Sequence, residues 1–291
     1  MKPPLFDYYK PETVDQALEL LQEYGINGKI IAGGQSMMPI LNMRLSTPEL
    51  LIDISGLQEL SYIRVEDGFL KIGALTRQRD VELSPLVREA CPLLSEAIPY
   101  IGHMQTRNRG TFGGSLAHAD PTAEIPMTLL ALDAQAVIRS ASDQRLVKME
   151  DFFLTYLTTD LMPEEMLTEV QIPLNEMPKG YAFTEFSRRH GDFALVAAAC
   201  LLDVDKDGHI TSGRLVLGGV DSVPLAVHEA VEAMIGSVLT EELLEHSVEE
   251  AIRFLEPESD LHASSEFRKH LAKVFAMKAI RTAYQRAQNR E

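Results

Sequence analysis

Two short glycine-rich segments hold the residues whose types and spacing are best suited to binding chemistry. One spans residues 32–36 (AGGQS) and the other spans residues 111–115 (TFGGS). Adjacent glycines allow positive φ angles and can present consecutive N–H groups to an anion. A helix that begins after such a segment adds unpaired amides and the positive end of its dipole. Two segments of this kind predict a site for two linked phosphates, as in a dinucleotide.

The segments do not match the two most familiar phosphate-binding motifs. Neither contains GxGxxG or GxxxxGK[ST], so a Rossmann site for NAD and a P-loop NTPase are not indicated. Taken alone, each Gly-Gly pair is more typical of a plain turn. The prediction therefore depends on both pairs together, on the hydroxyls of Ser36, Thr111 and Ser115, and on the sequences around them.

Helices and strands at both sides of the first segment would position it. Thr13 is a candidate N-cap for a helix that ends near Gly25, and residues 29–32 form an apolar run typical of a buried strand. A turn, a helix over residues 37–45 and a strand over residues 50–54 follow. This order predicts a small βαβ unit, which we assign to residues 1–57.

A middle domain is predicted over residues 58–177. A hairpin with an Asp67-Gly68 turn opens it. The pattern then predicts helices, a loop and strands, and a Pro-rich polar linker over residues 173–178 closes the domain. The helices are placed at residues 81–86, 93–101 and 125–132, the loop at residues 106–115, and the strands at residues 136–138 and around 170–172.

The remaining residues, 178–291, predict a third domain and complete an α+β fold. Three antiparallel strands are expected at residues 182–186, 194–204 and 214–220. Two helices follow, one from Thr240 and one after Ser264. The last helix carries an apolar stripe at helical spacing: Phe267, Leu271, Val274, Phe275 and the stem of Lys278.

The composition narrows the class of protein. A net charge of -16 and a pI of about 4.9 disfavour binding to nucleic acid or to anionic lipid surfaces, both of which attract Lys and Arg. Cys91 and Cys200 lack CxxC spacing, so buried thiols in a reducing compartment are expected and no metal ligands are assigned. The N-terminus lacks a signal-peptide pattern, and the longest apolar run, residues 193–202, is too short to span a bilayer. These features predict a cytoplasmic protein.

Three other patterns are weaker candidates for a site. Residues 203–210 (DVDKDGHI) resemble half of a calcium loop, but the position that requires a bidentate Glu holds Arg214, so a hairpin turn is predicted. His118 and Asp120 suggest an acid–base pair, although packing beside a bound ligand explains them as well. Arg107 and Arg109 can face a phosphate, a partner subunit or solvent, and the sequence leaves these alternatives open.

Longer strings around both segments resemble one family. Residues 30–45 (IIAGGQSMMPILNMRL) and 106–126 (TRNRGTFGGSLAHADPTAEIP) are similar to the two FAD-binding signatures of molybdenum hydroxylase flavin subunits. This family includes the medium subunit of carbon monoxide dehydrogenase and the flavin domain of xanthine dehydrogenase. Residues 186–199 resemble the motif of the family's third domain, and residues 260–274 resemble its C-terminal motif. The resemblance covers the whole chain and implies the FAD-binding fold of the vanillyl-alcohol oxidase/PCMH type.

The resemblance also implies a set of FAD-binding residues. The pyrophosphate would lie on the two glycine-rich segments, with Ile101 packing on the cofactor and Leu167 near adenine. Glu124, or alternatively Asp120, would contact the adenosine or ribitol side. Phe193 would lie near the isoalloxazine, where it exerts only steric control. The full set is Ile30, Ile31, Ala32, Gly33, Gly34, Gln35, Ser36, Met37, Ile101, Thr111, Phe112, Gly113, Gly114, Ser115, Asp120, Glu124, Leu167, Thr184 and Phe193.

The function implied by the resemblance is electron transfer within a heteromeric oxidoreductase. A small subunit with [2Fe-2S] clusters would deliver electrons to the FAD, and a large molybdopterin subunit would perform the hydroxylation. An external acceptor would take the electrons from the flavin. No catalytic acid or base is then required of this chain. Two alternatives are a self-sufficient flavin oxidase or reductase of the vanillyl-alcohol oxidase superfamily, and a calcium-responsive or scaffold protein without a cofactor.

Overall fold

A computed structural model describes residues 2–175 and 177–289 and begins with a small parallel sheet. Its strand order is β1-β3-β2, so the predicted βαβ unit is confirmed with one additional edge strand. Thr13 caps the first helix by accepting from Gln16 N, as predicted. The elements are β1 (Asp7–Tyr9), α1 (Val14–Tyr24), β2 (Gly28–Ile31), α2 (Met37–Asn42) and β3 (Leu50–Asp53).

The middle region is built on a five-stranded antiparallel sheet with helices packed against it. The predicted hairpin is confirmed, with Asp67 and Gly68 both at positive φ in its turn. The strand order is β4-β5-β10-β6-β7. The strands of this region are β4 (Ile63–Glu66), β5 (Phe69–Gly73), β6 (Gln135–Arg139), β7 (Gln144–Lys148), the short pair β8 (Phe153–Thr155) and β9 (Thr158–Thr159), and β10 (Met166–Pro173).

Short helices connect these strands, and two of them lie where the sequence predicts a loop. Residues 106–115, predicted as a loop, belong to two helices separated only by Gly110 and Thr111. The Gly-Gly pair remains helical because Thr111 caps the second helix and because Gly113 packs on Ala74, which a side chain would displace. The helices are α3 (Gln78–Leu83), α4 (Pro85–Ala90), α5 (Pro92–Ala97), α6 (Met104–Arg109), α7 (Phe112–His118), α8 (Glu124–Ala131) and α9 (Met149–Phe152).

The C-terminal region is an antiparallel sheet covered by helices on one face. Three strands were predicted, and a two-residue fourth strand extends the sheet. The strands are β11 (Gly180–Phe186), β12 (Val196–Val204), β13 (Ile210–Gly218) and β14 (Leu225–Ala226). The helices are α10 (Glu229–Glu232), α11 (Glu241–Ile252) and α12 (Ser265–Gln288). Together with the two sheets above, this region confirms the α+β class.

The buried face of α12 differs from the predicted stripe. Phe267 and Val274 are 41% and 43% exposed, whereas the alanines of the helix are buried against the sheet. A methyl group on Gly180 would overlap the Ala283 carbonyl, so the helix and β11 approach closely. Small residues permit this close approach. A sequence analysis that looks for large apolar residues at helical spacing does not detect a buried face made of alanines.

The hydrophobic residues form three clusters that do not follow the predicted boundaries strictly. The N-terminal cluster includes Leu60, Leu75 and Met166 from beyond residue 57, and the largest cluster draws residues from both the middle and C-terminal sheets. The division at residue 57 and at residue 177 therefore stays a prediction. Of the predicted linker, Pro173 ends β10 and Glu176 lies outside the described residues, as do Met1, Arg290 and Glu291.

Two further observations concern the thiols and the helices. Cys91 and Cys200 are both buried and unpaired, as predicted, and burial raises the pKa of the Cys91 thiol to about 12. Among residues 2–175 and 177–289, no helix combines the length and the apolar character that crossing a bilayer requires.

Candidate functional site

The first glycine-rich segment presents a row of free backbone amides. It follows β2 and turns into α2 through a hydrogen bond from Met38 N to Gly34 O (3.2 Å), with Gly34 at a φ of 72°. Within the described part of the chain, the N–H groups of residues 33–37 donate to no protein acceptor. Ser36 makes no side-chain capping bond. Five consecutive amides and one hydroxyl are therefore available to an anion.

The second segment differs from the first in the state of its amides. Phe112 N donates to Thr76 O (2.8 Å), Gly113 N to Ala74 O (2.9 Å) and Gly114 N to Thr111 Oγ1 (3.2 Å). The expectation that both segments expose consecutive N–H groups is therefore wrong for the second. Among the described residues, its remaining ligand groups are the N–H of Thr111, the hydroxyl protons of Thr111 and Ser115, and the dipole of α7. Phe112 is fully buried and belongs to the core.

Gly33 of the first segment meets the backbone of Arg109 and Gly110, immediately before the second segment. A Cβ added to Gly33 would overlap the carbonyl oxygen of Arg109 and lie 3.0 Å from Gly110 Cα. Gly110 O accepts from Gln78 N (3.0 Å), which fixes the other side of the junction. The contact is possible only because residue 33 lacks a side chain. The first segment and the start of the second therefore form one continuous surface, which we call the cradle. A side chain at residue 33 would fill the base of this cradle.

The two arginines before the second segment have different roles. Arg107 is 7% exposed and donates to Glu82 and to three backbone carbonyls, so its charge is not available to a phosphate. Arg109 is exposed, and its carbonyl oxygen accepts a hydrogen bond from the guanidinium of Arg77. Arg107 therefore takes none of the three roles that the sequence leaves open, because its guanidinium is bonded inside the protein.

Two predicted carboxylates lie just beyond the second segment. Asp120 Oδ1 accepts from Thr122 N (2.8 Å) and Thr122 Oγ1 (2.7 Å), which makes it the start of a turn. Glu124 begins α8 and is 8% exposed. Burial raises the pKa of Glu124 to about 7, with the charge of Asp120 acting in the same direction and that of Arg107 opposing it. Glu124 is therefore partly protonated at neutral pH.

Sequence reasoning missed a third carboxyl group. Glu185 Oε2 is buried without a hydrogen-bond partner, and burial together with the charge of Glu124 raises the pKa of Glu185 to about 8. Thr184, which was predicted instead, is 5% exposed and donates to Phe275 O on α12 (3.0 Å). Successive side chains of a strand point to opposite faces, so Glu185 rather than Thr184 faces the middle region.

A corner of the middle region contacts the loop that carries Phe193. Residues 99–102, between α5 and α6, form the corner. A Cβ on Gly191 would overlap the His103 ring and lie 3.0 Å from Gly102 O. Phe193 is 76% exposed at the end of this loop. The corner thus brings Ile101 and the loop of Phe193 close to each other. Leu167 lies elsewhere, 5% exposed within β10.

The structure also gives the positions of the other predicted residues and of one weaker candidate site. Ile30 and Ala32 pack against the N-terminal cluster, and Ile31 O accepts from Ile54 N (3.0 Å). Gln35 and Met37 supply two of the free amides, and the Gln35 side chain donates to Gly33 O (3.3 Å). The predicted hairpin turn between β12 and β13 is confirmed, since Asp205 Oδ1 accepts from Asp207 N and His209 N, both at 2.9 Å.

The chain matches two protein families over consecutive regions. Residues 4–175 match the FAD binding domain in molybdopterin dehydrogenase, and residues 181–283 match the CO dehydrogenase flavoprotein C-terminal domain. The chain therefore belongs to the flavin-binding family of molybdopterin dehydrogenases, an oxidoreductase family whose cofactor is FAD. The resemblance found in the sequence is confirmed, as is the FAD-binding fold that it implied.

Relatives and solved structures agree with this family over nearly their full lengths. The 6-hydroxypseudooxynicotine dehydrogenase complex subunit alpha of Paenarthrobacter nicotinovorans is 39% identical, covering 99% of this chain and 97% of the relative. The carbon monoxide dehydrogenase medium chain of Hydrogenophaga pseudoflava is 33% identical, with 98% and 99% covered. A chain of quinoline 2-oxidoreductase from Pseudomonas putida 86 superimposes with a TM-score of 0.95 at 36% identity, covering 99% and 100%.

Proposed function

We propose that this chain holds FAD at the junction of its two glycine-rich segments and relays electrons as the flavin subunit of a heteromeric molybdenum hydroxylase. The observation that supports the binding site most directly is the row of free amides at residues 33–37, with Gly33 against the backbone that leads into α7. Two linked phosphates require this kind of extended set of donors. The bound flavin would supply the redox chemistry, accepting electrons one at a time and passing them on.

The protein's own part is to bind and orient the cofactor. The amides of residues 33–37 would donate to the pyrophosphate, and the hydroxyls of Ser36, Thr111 and Ser115 would add to them. Recognition through backbone groups depends little on side-chain identity, so the Gln35 side chain is not required for it. Glu124 and the corner at Ile101 would contact the remainder of the cofactor.

The relatives support partner subunits and argue against a substrate site in this chain. Their names refer to subunits or medium chains of enzymes for carbon monoxide, caffeine, nicotine and glyceraldehyde. Identities of 33–36% span these unlike substrates, so the substrate is selected outside this type of chain. We infer that an iron–sulfur subunit delivers the electrons and a molybdopterin subunit performs the hydroxylation. Two reduced, buried thiols are consistent with the predicted cytoplasmic location.

The test compares FAD binding to the wild type and to two glycine variants. Gly34→Ala and Gly25→Ala each place a side chain at positive φ, and neither new methyl group meets an atom closer than 3.4 Å. We expect Gly34→Ala to weaken FAD binding about tenfold, because strain of about 1–2 kcal/mol would turn the amides away. Gly25→Ala also places a side chain at positive φ, but away from the cradle, and should bind FAD normally.

The readouts are flavin absorption bands of the purified chain and titration with FAD. A wild-type chain that neither carries nor binds FAD, alone or with its partner subunits, contradicts the proposed site. Equal binding by Gly34→Ala and the wild type would place the pyrophosphate elsewhere. Turnover of an organic substrate by the isolated chain would favour the self-sufficient oxidase.

A further inference from the structure

Arg107 binds a set of acceptors that is unusually large for one side chain. It lies on α6 and is 7% exposed. Its Nε and Nη2 donate to the two oxygens of Glu82 (2.7 and 3.1 Å). Its Nη1 donates to Ile101 O (2.8 Å) and to the carbonyls of Pro99 and Gly102, both at 3.3 Å. Only the planar guanidinium fork can serve a carboxylate on one edge and a carbonyl cluster on the other.

Glu82 fixes the direction of this fork. Burial opposes ionisation of the Glu82 carboxyl, but hydrogen bonds from Arg107 and Arg79 outweigh it and lower the pKa. Glu82 is therefore ionised at neutral pH and holds Arg107 in one orientation. Because Glu82 belongs to α3, the arginine links α3, α6 and the corner at residues 99–102.

The corner depends on the arginine. Three carbonyl oxygens of residues 99, 101 and 102 converge on one nitrogen, and Gly102 adopts a φ of 46°. Converging acceptors repel one another when no donor lies between them, and each buried carbonyl left unpaired is costly. Removing the guanidinium would therefore open the corner rather than leave it in place.

The corner in turn supports the loop of the C-terminal region that carries Phe193. Gly191 packs against Gly102 and His103 so closely that it has no room for a side chain, and the rings of His103 and His190 are 6.3 Å apart. Contacts therefore run without interruption from Arg107 through the corner to this loop. Ile101 and Phe193, both candidates for contact with the flavin, lie on the two parts that Arg107 holds in register.

We propose that Arg107 is a positioning residue for the cofactor, which sets the corner at Ile101 and through it the loop of Phe193. This inference rests on the proposed function for its effect on FAD. Arg107 would act through the residues that it orients and would not contact the phosphates. Loss of the fork should then change how the flavin is held more than it changes the fold.

Arg145 offers a matched control in the same region. It also makes a bidentate pair with a glutamate, Glu165, and further bonds to Asp160. These partners belong to the segment before β10, away from the corner. Arg107→Lys and Arg145→Lys each keep the charge and lose the fork, so Arg145→Lys controls for the loss of a bidentate ion pair away from the corner.

The full-length variants are titrated with FAD, and the visible circular dichroism of the bound flavin is recorded. We expect Arg107→Lys to weaken FAD binding about tenfold and to alter the dichroism, while Arg145→Lys stays within about twofold of wild type. Glu82→Gln should change both readouts in the same direction as Arg107→Lys. Wild-type affinity and dichroism in Arg107→Lys, or equal losses in both lysine variants, would overturn the positioning role.

A second readout does not require FAD. Hydrogen exchange of the free chain should be faster at residues 99–103 and 187–193 in Arg107→Lys than in wild type, and unchanged there in Arg145→Lys. Unchanged exchange at both places in Arg107→Lys contradicts the inference, whatever the cofactor. A wild-type chain without FAD affinity would instead contradict the proposed function. The hydrogen-exchange result would then test only whether Arg107 holds the corner and the loop of Phe193.

Discussion

Glu124 and Glu185 are two carboxyl groups that burial makes costly to ionise, and the charge of Glu124 adds to the cost for Glu185. The pKa of Glu124 is raised to about 7 by burial, and that of Glu185 to about 8 by burial and by the charge of Glu124. A raised carboxyl pKa means that the folded state holds a proton which the unfolded chain releases near pH 4.5. The stability that this proton provides is complete below pH 4.5 and is lost as the pH rises through about 8.

This residue pair predicts a pH-dependent melting temperature. In wild type the contribution of the two groups should fall between about pH 5 and pH 8.5. Glu185→Gln, which is neutral at every pH, should flatten this dependence and raise the melting temperature at pH 8.5 relative to wild type. Glu23→Gln changes an exposed glutamate of α1 and should keep the wild-type slope. Thermal unfolding across this range checks the prediction, and equal slopes in Glu185→Gln and wild type would refute it.

At the scale of elements, the N-cap of α7 belongs to both the fold and the cradle. Thr111 Oγ1 accepts from Gly114 N at 3.2 Å, and Thr13 Oγ1 makes the same bond at the same distance to Gln16 N in α1. Thr111→Val and Thr13→Val should each cost about 1 kcal/mol of unfolding free energy. Only Thr111→Val should also weaken FAD binding, because it removes a hydroxyl of the proposed cradle.

Denaturant unfolding and FAD titration of these two cap variants separate the two effects. A loss of FAD affinity in Thr13→Val as large as that in Thr111→Val would show that general destabilisation explains both. Normal FAD binding by Thr111→Val would exclude its hydroxyl as a cofactor ligand.

Local signals predicted the elements that have local causes. The Thr13 cap, the Asp67-Gly68 hairpin and the strand runs were all found from neighbouring residues. The helix α7 was missed because Gly113 and Gly114 suggest a turn, and only the contact of Gly113 with Ala74, 39 positions earlier, makes helix possible there. The buried alanine face of α12 was missed for a similar reason, since its close packing depends on Gly180 in a distant strand.

The candidate site shows the same limit. Its glycine-rich segments were found from the sequence, but the distribution of their hydrogen bonds was not, because the acceptors Thr76 O and Ala74 O lie in the distant connection between β5 and α3. Thr184, predicted from the resemblance, faces α12, whereas its neighbour Glu185 faces the middle region. Alternation along β11 held a signal, because Phe183 and Glu185 share the face that meets the middle region.

At the scale of the whole molecule, the middle and C-terminal regions share one core. Phe183 of β11 is 3% exposed in the largest cluster, and its ring lies 5.2 Å from that of Tyr100. Phe183 N also donates to Glu96 Oε1 (3.0 Å), and Arg286 of α12 donates to Glu96 Oε2 (2.6 Å). Glu96 thus ties the C-terminal sheet and its long helix to α5, so the two regions should unfold together.

This shared core predicts different results for two large-to-small substitutions. Phe183 lies at the junction, and Leu244 lies in the separate cluster under α11. We expect Phe183→Ala to lower the free energy of unfolding by about 3–5 kcal/mol and Leu244→Ala by about 2–5 kcal/mol. We expect Leu244→Ala to lower the melting temperature of a single transition. Phe183→Ala removes part of the coupling itself, so its van't Hoff enthalpy should fall below the calorimetric enthalpy. Scanning calorimetry of both variants decides, because a single two-state transition in Phe183→Ala would mean that the regions are held together by other contacts.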